Sequence, residues 1–160
     1  MRFLKPLLTV AVLGAIVYAL YVFVVFPFFF HYVKLVHIAR ADAVITWDSK
    51  KLSRVELIGI DANPPCPKTP LLLANKYFHD ERDVRLINDS DLADRDEKGA
   101  ILRYVFLKNS DIYNEKILGD GFAREFQTSK KYRYKDRFDK AQEQANKDRL
   151  GVWGPNGCPQ

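Results

Sequence analysis

The sequence predicts a small closed β-barrel with helical additions, set behind one N-terminal transmembrane helix. Two observations carry this. Residues 6–30 form a run of 25 without a charged side chain, rich in Leu, Val, Ala and Phe. Five short segments of strand-like apolar patterning follow, with a helical pattern between the third and fourth and two more at the end. At 160 residues the chain holds one such domain plus the appendage. Five strands and about three helices in this order describe an OB-fold barrel with α additions.

The appendage comes first. Residues 1–5 are a short basic N-terminus carrying Arg2 and Lys5. As a helix, the uncharged run would be about 37 Å long, enough for the ~30 Å hydrocarbon core of a bilayer. Tyr18 and Tyr21 sit within it, and Pro27 marks its end or a kink. A cleaved signal peptide is the alternative, but its apolar stretch is usually only about 7–15 residues. The nearby cleavage-like triplet is Ala39-Arg40-Ala41, and cutting there would remove the first strand. Residues 6–30 are therefore expected to be an uncleaved signal anchor. Arg2 and Lys5 favour a cytoplasmic N-terminus and an extracytoplasmic domain, in a single-pass membrane protein, although Lys34 and Arg40 dilute that bias.

The domain is expected over 32–155, with 156–160 as a tail. Residues 32–48 read as two strands around Ala39-Arg40-Ala41-Asp42, and Ser49-Lys50-Lys51 as a turn. Residues 52–60 read as the third strand. Four prolines between Asn63 and Pro70 impose a loop. A helix is expected over 71–80, a fourth strand over 83–88, a charged loop over 89–99 and a strong fifth strand over 100–108. Residues 112–118 read as a helix stopped by Gly119 and Gly121. The last helix, 134–150, carries Phe138, Ala141, Ala145 and Leu150 at helical spacing, with Gly151 as its C-cap.

The net charge of +5 is modest, and removing Arg2 and Lys5 from the 25 Lys and Arg leaves 23 against 20 Asp and Glu. That is a weak footprint for a nucleic-acid binder. The local basic excess lies between Arg124 and Arg149, where a solvated helix face competes with a phosphate-binding patch as explanation. Cys66 and Cys158 lack metal-site spacing. Outside the cytoplasm they would form a disulfide tying the loop after Asp61 to the C-terminal tail, with a stabilisation of up to ~4–5 kcal/mol in the chain-entropy model. His31, His37 and His79 are scattered, with no nucleophile beside them at a motif.

Four segments in order carry a more specific signal. Glu56-Leu-Ile-Gly-Ile-Asp61, preceded by Arg54-Val55, resembles the third strand of the staphylococcal-nuclease (thermonuclease-like) family. Asp96-Glu-Lys-Gly-Ala-Ile-Leu-Arg-Tyr-Val105 and Tyr113-Asn-Glu-Lys-Ile-Leu-Gly-Asp-Gly-Phe-Ala123 resemble two later motifs of that family. The run Phe138-x-x-Ala141-x-x-x-Ala145 into Leu150-Gly-Val-Trp153 resembles its ending. The resemblance implies chemistry in which a Ca²⁺ ion and two arginines hold a scissile phosphate while a glutamate handles the attacking water. It assigns metal-binding carboxylates to Asp61 and to Asp42, in a turn reading Arg40-Ala-Asp-Ala43 where the family has Asp-Gly-Asp-Thr; Ala62 would supply a carbonyl. Two such carboxylates suit a hard cation, and two ordinary turn aspartates would look the same.

The rest of that machinery is missing. The two arginine positions read Glu56 and Ala100, and the glutamate position reads Pro64. Arg54 and Arg103 are the nearest substitutes. Arg54 lies one pleat repeat, about 6.5 Å, from the required place, and Arg103 falls on the opposite face from Ala100. The expectation is a membrane-anchored domain of this fold that does not hydrolyse nucleic acid. It would bind a nucleic-acid strand or a protein partner instead, with a rearranged Ca²⁺-dependent nuclease acting on DNA or RNA as the alternative. For a single strand, Lys130, Lys131, Tyr132 and Arg133 are the candidate contacts, with Tyr134 and Trp153 as further stacking surfaces.

Overall fold

The computed structural model describes residues 4–21, 31–63, 66–126 and 131–158. The chain divides into two compact units, Met1–His31 and Tyr32–Gln160. In the first, α1 (Leu4–Leu20) is a 17-residue helix. Among the described residues no helix is long and apolar enough to cross a membrane. The expected span over 6–30 falls within the described residues only through residue 21, and residues 22–30 lie outside them.

The second unit is built on β1 (Val33–Arg40), β2 (Ala43–Asp48), β3 (Lys51–Leu57), β5 (Asp83–Ile87) and β6 (Ile101–Phe106). These close into a barrel in the order β1-β2-β3-β6-β5. All neighbours run antiparallel except β3 and β6, which pair in parallel with Glu56 opposite Leu102. The five-strand expectation holds: Val33 and Leu35 of β1 alternate into the core, and an irregularity between Leu35 and His37 shifts the phase to bring Ile38 in beside Val44, Val55 and Val84. α2 (Thr69–Tyr77) lies between β3 and β5, and α3 (Tyr113–Gly119) and α4 (Lys135–Lys147) follow β6. The outcome is the OB-like barrel with helices.

Three boundaries differ from expectation. The third strand stops at Leu57, because Gly59 takes φ +76°. A Cβ there would lie 2.8 Å from the Tyr132 hydroxyl oxygen, so only glycine permits that approach. The chain then resumes as β4 (Ile60–Asp61), which pairs with β7 (Arg124–Glu125) in a separate two-stranded sheet. α2 begins at Thr69, with Pro70 in its first turn, where a missing N–H costs nothing. Gly151 is not the C-cap of α4. Asp148 is, with Arg149 at φ 55°, and Gly151 opens a 3₁₀ turn (Gly151–Trp153). Its backbone packs so closely on Gly121 that a Cβ would sit 2.0 Å from the Gly121 carbonyl oxygen.

Asn114 ties the barrel to α3. Fully buried, it accepts the Val105 N–H at 2.9 Å and donates to the Ile58 and Arg103 carbonyls at 3.0 and 3.4 Å. Cys66 and Cys158 are joined by a disulfide with their Cα atoms 5.8 Å apart. It pins the loop beyond β4 to the C-terminal segment.

Candidate active site

One side of the barrel carries a cleft of about 880 Å³, built from four pieces of chain: the β1–β2 turn, the outer face of β3, β4 with the residues after it, and the loop entering β6. The two-residue turn between Arg40 and Ala43 follows from their cross-strand pairing, and it places Asp42 at the rim. Asp42 is anchored twice through its backbone neighbourhood. Its carbonyl accepts the Leu57 N–H at 2.8 Å, and Ala43 stands opposite Glu56. On β3, Arg54 and Glu56 are two residues apart and share a face. Asp61, Asn63 and Ala100 complete the wall. The structure therefore brings Asp42, Asp61, Arg54, Glu56 and Ala100 together.

Two arginines of the cleft are already paired with its carboxylates, while Lys51, Arg95 and Lys98 also line it. Arg40 donates from Nε to Asp42 Oδ1 at 2.8 Å and from Nη2 to Oδ2 at 2.7 Å, a fork on both carboxylate oxygens. Asp42 Oδ2 also accepts the Ala62 N–H at 3.3 Å. Arg54 donates from Nε and Nη2 to Glu56 Oε1 at 2.8 and 2.6 Å. Asp61 Oδ1 accepts the Asn63 backbone N–H at 3.0 Å and its side-chain amide at 2.8 Å, closing a local turn. Arg103 does not line the cleft. It is held by Asp94 Oδ1 at 2.6 Å and the Leu102 carbonyl at 2.7 Å. Pro64, at the glutamate position, lies outside the described residues.

The donor set does not fit a calcium ion. Oxygen ligands hold Ca²⁺ at about 2.3–2.6 Å, and the approach to both Asp42 oxygens is occupied by a guanidinium. Among the described residues no group of three or more His, Cys, Asp or Glu is placed to hold a metal. Of the two carboxylates expected to hold a metal, Asp42 carries an intramolecular counter-ion and Asp61 Oδ1 closes a turn with Asn63.

The strand-binding candidates are also rearranged. Tyr132 is 2% exposed, not a free stacking face. It donates its hydroxyl to Glu125 Oε1, while Lys135 donates to the same oxygen at 2.8 Å and to Asp139 at 2.9 Å. Burial, and then the neighbouring Glu125 carboxylate, push the Tyr132 phenol well above its usual pKa. Burial likewise lifts Glu125 above the usual carboxylate range. Tyr134 packs edge-on against Tyr104 with ring centroids 4.7 Å apart, and Trp153 is covered by the Arg124 guanidinium at 5.0 Å. Lys131 and Arg133 are exposed, and Lys130 lies outside the described residues. Asp89, which the sequence did not single out, holds the segment: its Oδ2 accepts the Arg133 N–H at 2.8 Å and the Tyr104 hydroxyl at 2.6 Å.

Arg40 is the other residue missed as functional. Its signal was available, since it stands where the family turn begins with an aspartate. A sign reversal two residues from Asp42 is the expected mark of an internal ion pair.

The family described as staphylococcal nuclease homologues matches residues 54–155. The chain belongs to that family. Similar proteins include the thermonuclease of Staphylococcus hyicus, 29% identical over 126 residues covering 75% of this chain and 74% of that protein. The thermonuclease of Staphylococcus intermedius is 29% identical over 121 residues, 70% of each. An uncharacterized protein of Methanocaldococcus jannaschii is 25% identical over 150 residues, 77% of this chain and 72% of that one.

Proposed function

We propose that this is a nuclease-fold domain that does not hydrolyse phosphodiesters and serves as a binding module for a protein partner, tethered at a membrane by its N-terminal segment. The observation that carries the reading is the pairing in the cleft. Phosphoryl chemistry needs cations aimed at the charge that develops in the transition state. Here two guanidinium groups of the cleft, Arg40 and Arg54, are each bound to a carboxylate of the same cleft. Ala100 offers no third. With Tyr132 buried and Tyr134 and Trp153 covered, the stacking that a single nucleic-acid strand would use is also reduced. A protein partner is thereby favoured over a strand.

Two features support the tether. The uncharged run of residues 6–30 is long enough for a span, and Leu13, Val17 and Tyr18 of α1 are each more than half exposed, as suits contact with lipid. The Cys66–Cys158 bond supports an extracytoplasmic domain, since disulfides persist in oxidising compartments.

The second reading, an active nuclease, is favoured by the similarity to two thermonucleases. Incubating the full chain in detergent with single- and double-stranded DNA and RNA, with Ca²⁺ or with chelator, separates the two. The expected result is no cleavage in any arm. Cleavage by the wild type that disappears in Asp61→Ala would establish a rebuilt catalytic site and remove the proposal.

A further inference from the structure

We infer that Arg40 is the resident cation of this cleft: its guanidinium takes the seat that a divalent ion would need on Asp42 and closes the site to metal. The inference rests on the reading of the cleft given above and deepens it.

Asp42 is an expensive residue to keep ionised. Its side chain is 7% exposed, and a buried carboxylate needs a partner for its charge and donors for its oxygens. Arg40 supplies both through one planar fork, with 2.8 and 2.7 Å bonds to separate oxygens. The Ala62 N–H adds a third donor, joining the β1–β2 turn to the residues after β4. A metal bridging Asp42 and Asp61 would connect the same two pieces of chain. The connection is made here by hydrogen bonds, and Asp61 is turned to its own Asn63.

A divalent ion could not share this arrangement. At about 2.3–2.6 Å from the Asp42 oxygens it would overlap the guanidinium nitrogens, which stand only a few tenths of an ångström further out. To enter, it must expel Arg40, whose charge would then face it across a half-buried rim. Arg40 side-chain exposure is 39%, so the guanidinium is wetted on one side and held on the other. The cleft is thus self-neutralised at Asp42 by the chain itself, whatever the calcium concentration around it.

The test is calorimetric titration of the full chain in detergent with Ca²⁺ alone, backed by thermal melts in Ca²⁺ and in chelator. The wild type should show no saturable heat and the same melting temperature in both. Arg40→Gln, which removes the charge and keeps a polar side chain, should gain Ca²⁺ affinity by about tenfold or more, and the gain should vanish in Arg40→Gln/Asp42→Asn. Arg40→Lys, which keeps the charge, should stay blind to calcium. A wild type that binds Ca²⁺ and loses it on Asp42→Asn overturns the inference without needing any Arg40 variant to fold. A folded Arg40→Gln that ignores calcium also overturns it, because Arg40 would then not be what excludes the ion.

The cleavage assay separates this inference from the reading beneath it. Cleavage that persists in chelator removes the non-hydrolytic reading and leaves Arg40 as the resident cation. Calcium binding by the wild type without cleavage does the reverse.

Discussion

The α3 shoulder and the cleft hold the same kind of object, a polar side chain set against the ends of β3 and β6, and satisfy it in opposite ways. Asn114 is neutral, fully buried, and spends its amide on three backbone groups, of which the Arg103 carbonyl also accepts the Ile58 N–H at 3.1 Å. In the cleft Arg40, Asp42, Arg54 and Glu56 are charged, and the arginines are half open to water. Side chains there satisfy mainly one another. The first arrangement is dictated by the fold, since the β3 break and the parallel β3–β6 seam leave orphan groups wherever this barrel is built. The second is dictated only by charge balance, so its members are exchangeable as pairs. That difference explains how a chain can keep its family's packing while its cleft changes sign.

The sharpest way to break the comparison is to remove the neutral anchor. Asn114→Ala strands the Val105 N–H and the Ile58 carbonyl in the interior and leaves the Arg103 carbonyl to the Ile58 N–H. The expected loss is about 3 kcal/mol or more, read from chemical denaturation of the full chain in detergent. A loss below about 1 kcal/mol would mean that water or a backbone shift satisfies those groups. The shoulder would then be no more fold-dictated than the cleft.

Much of the fold was legible because burial leaves a periodic trace. The partial alternation in β1, the apolar run of β6, the charged loop before it and the helical spacing of Phe138, Ala141 and Ala145 were all readable. What was not readable depended on distant neighbours. Ile60-Asp61 looks like a continuation of β3, and only the approach of Tyr132 to Gly59 makes it a separate strand. Tyr132 sits in a run of basic residues and reads as exposed, yet Glu125 and Lys135 draw it inside. In the site, residue substitutions at family positions were visible at once. The sign reversal at Arg40 was visible too, but its two-bond fork on Asp42 was not, because that depends on the geometry of the turn.

A charged group treated like Asn114 sharpens the comparison further. Asp89 is buried and accepts three hydrogen bonds, from Tyr104, the Arg133 N–H and the Asp91 N–H. Burial is the largest influence and would raise its pKa. The combined donation from Arg133, Tyr104 and Asp91 outweighs it, and the carboxyl lies below its ordinary value of 3.8. A depressed carboxylate stabilises the fold above the unfolded-state value, and this contribution is lost as pH falls through the folded-state value. Asp89→Asn should therefore cost about 2 kcal/mol at pH 7. The gap between wild type and variant should narrow as pH drops below 3.8. A gap that stays constant from neutral to acid pH would show that Asp89 contributes by shape alone.

The smallest effect on stability is expected in the cleft, and there it carries the most meaning. The Arg54 side chain is 49% exposed and, among the described residues, bound to Glu56, so Arg54→Ala should change stability by less than about 1 kcal/mol. Binding is the informative readout. Glu56→Gln releases the Arg54 guanidinium from its carboxylate and removes a negative charge from the cleft. Affinity for single-stranded DNA should rise a few-fold at low salt, and the rise should fade as ionic strength increases. It should also disappear in Glu56→Gln/Arg54→Ala, which has lost both members of the pair. If Glu56→Gln binds no better than wild type, Arg54 is held away from the cleft by something other than Glu56. The exchangeable-pair account of this side of the barrel would then fail, while the Asn114 result would stand untouched.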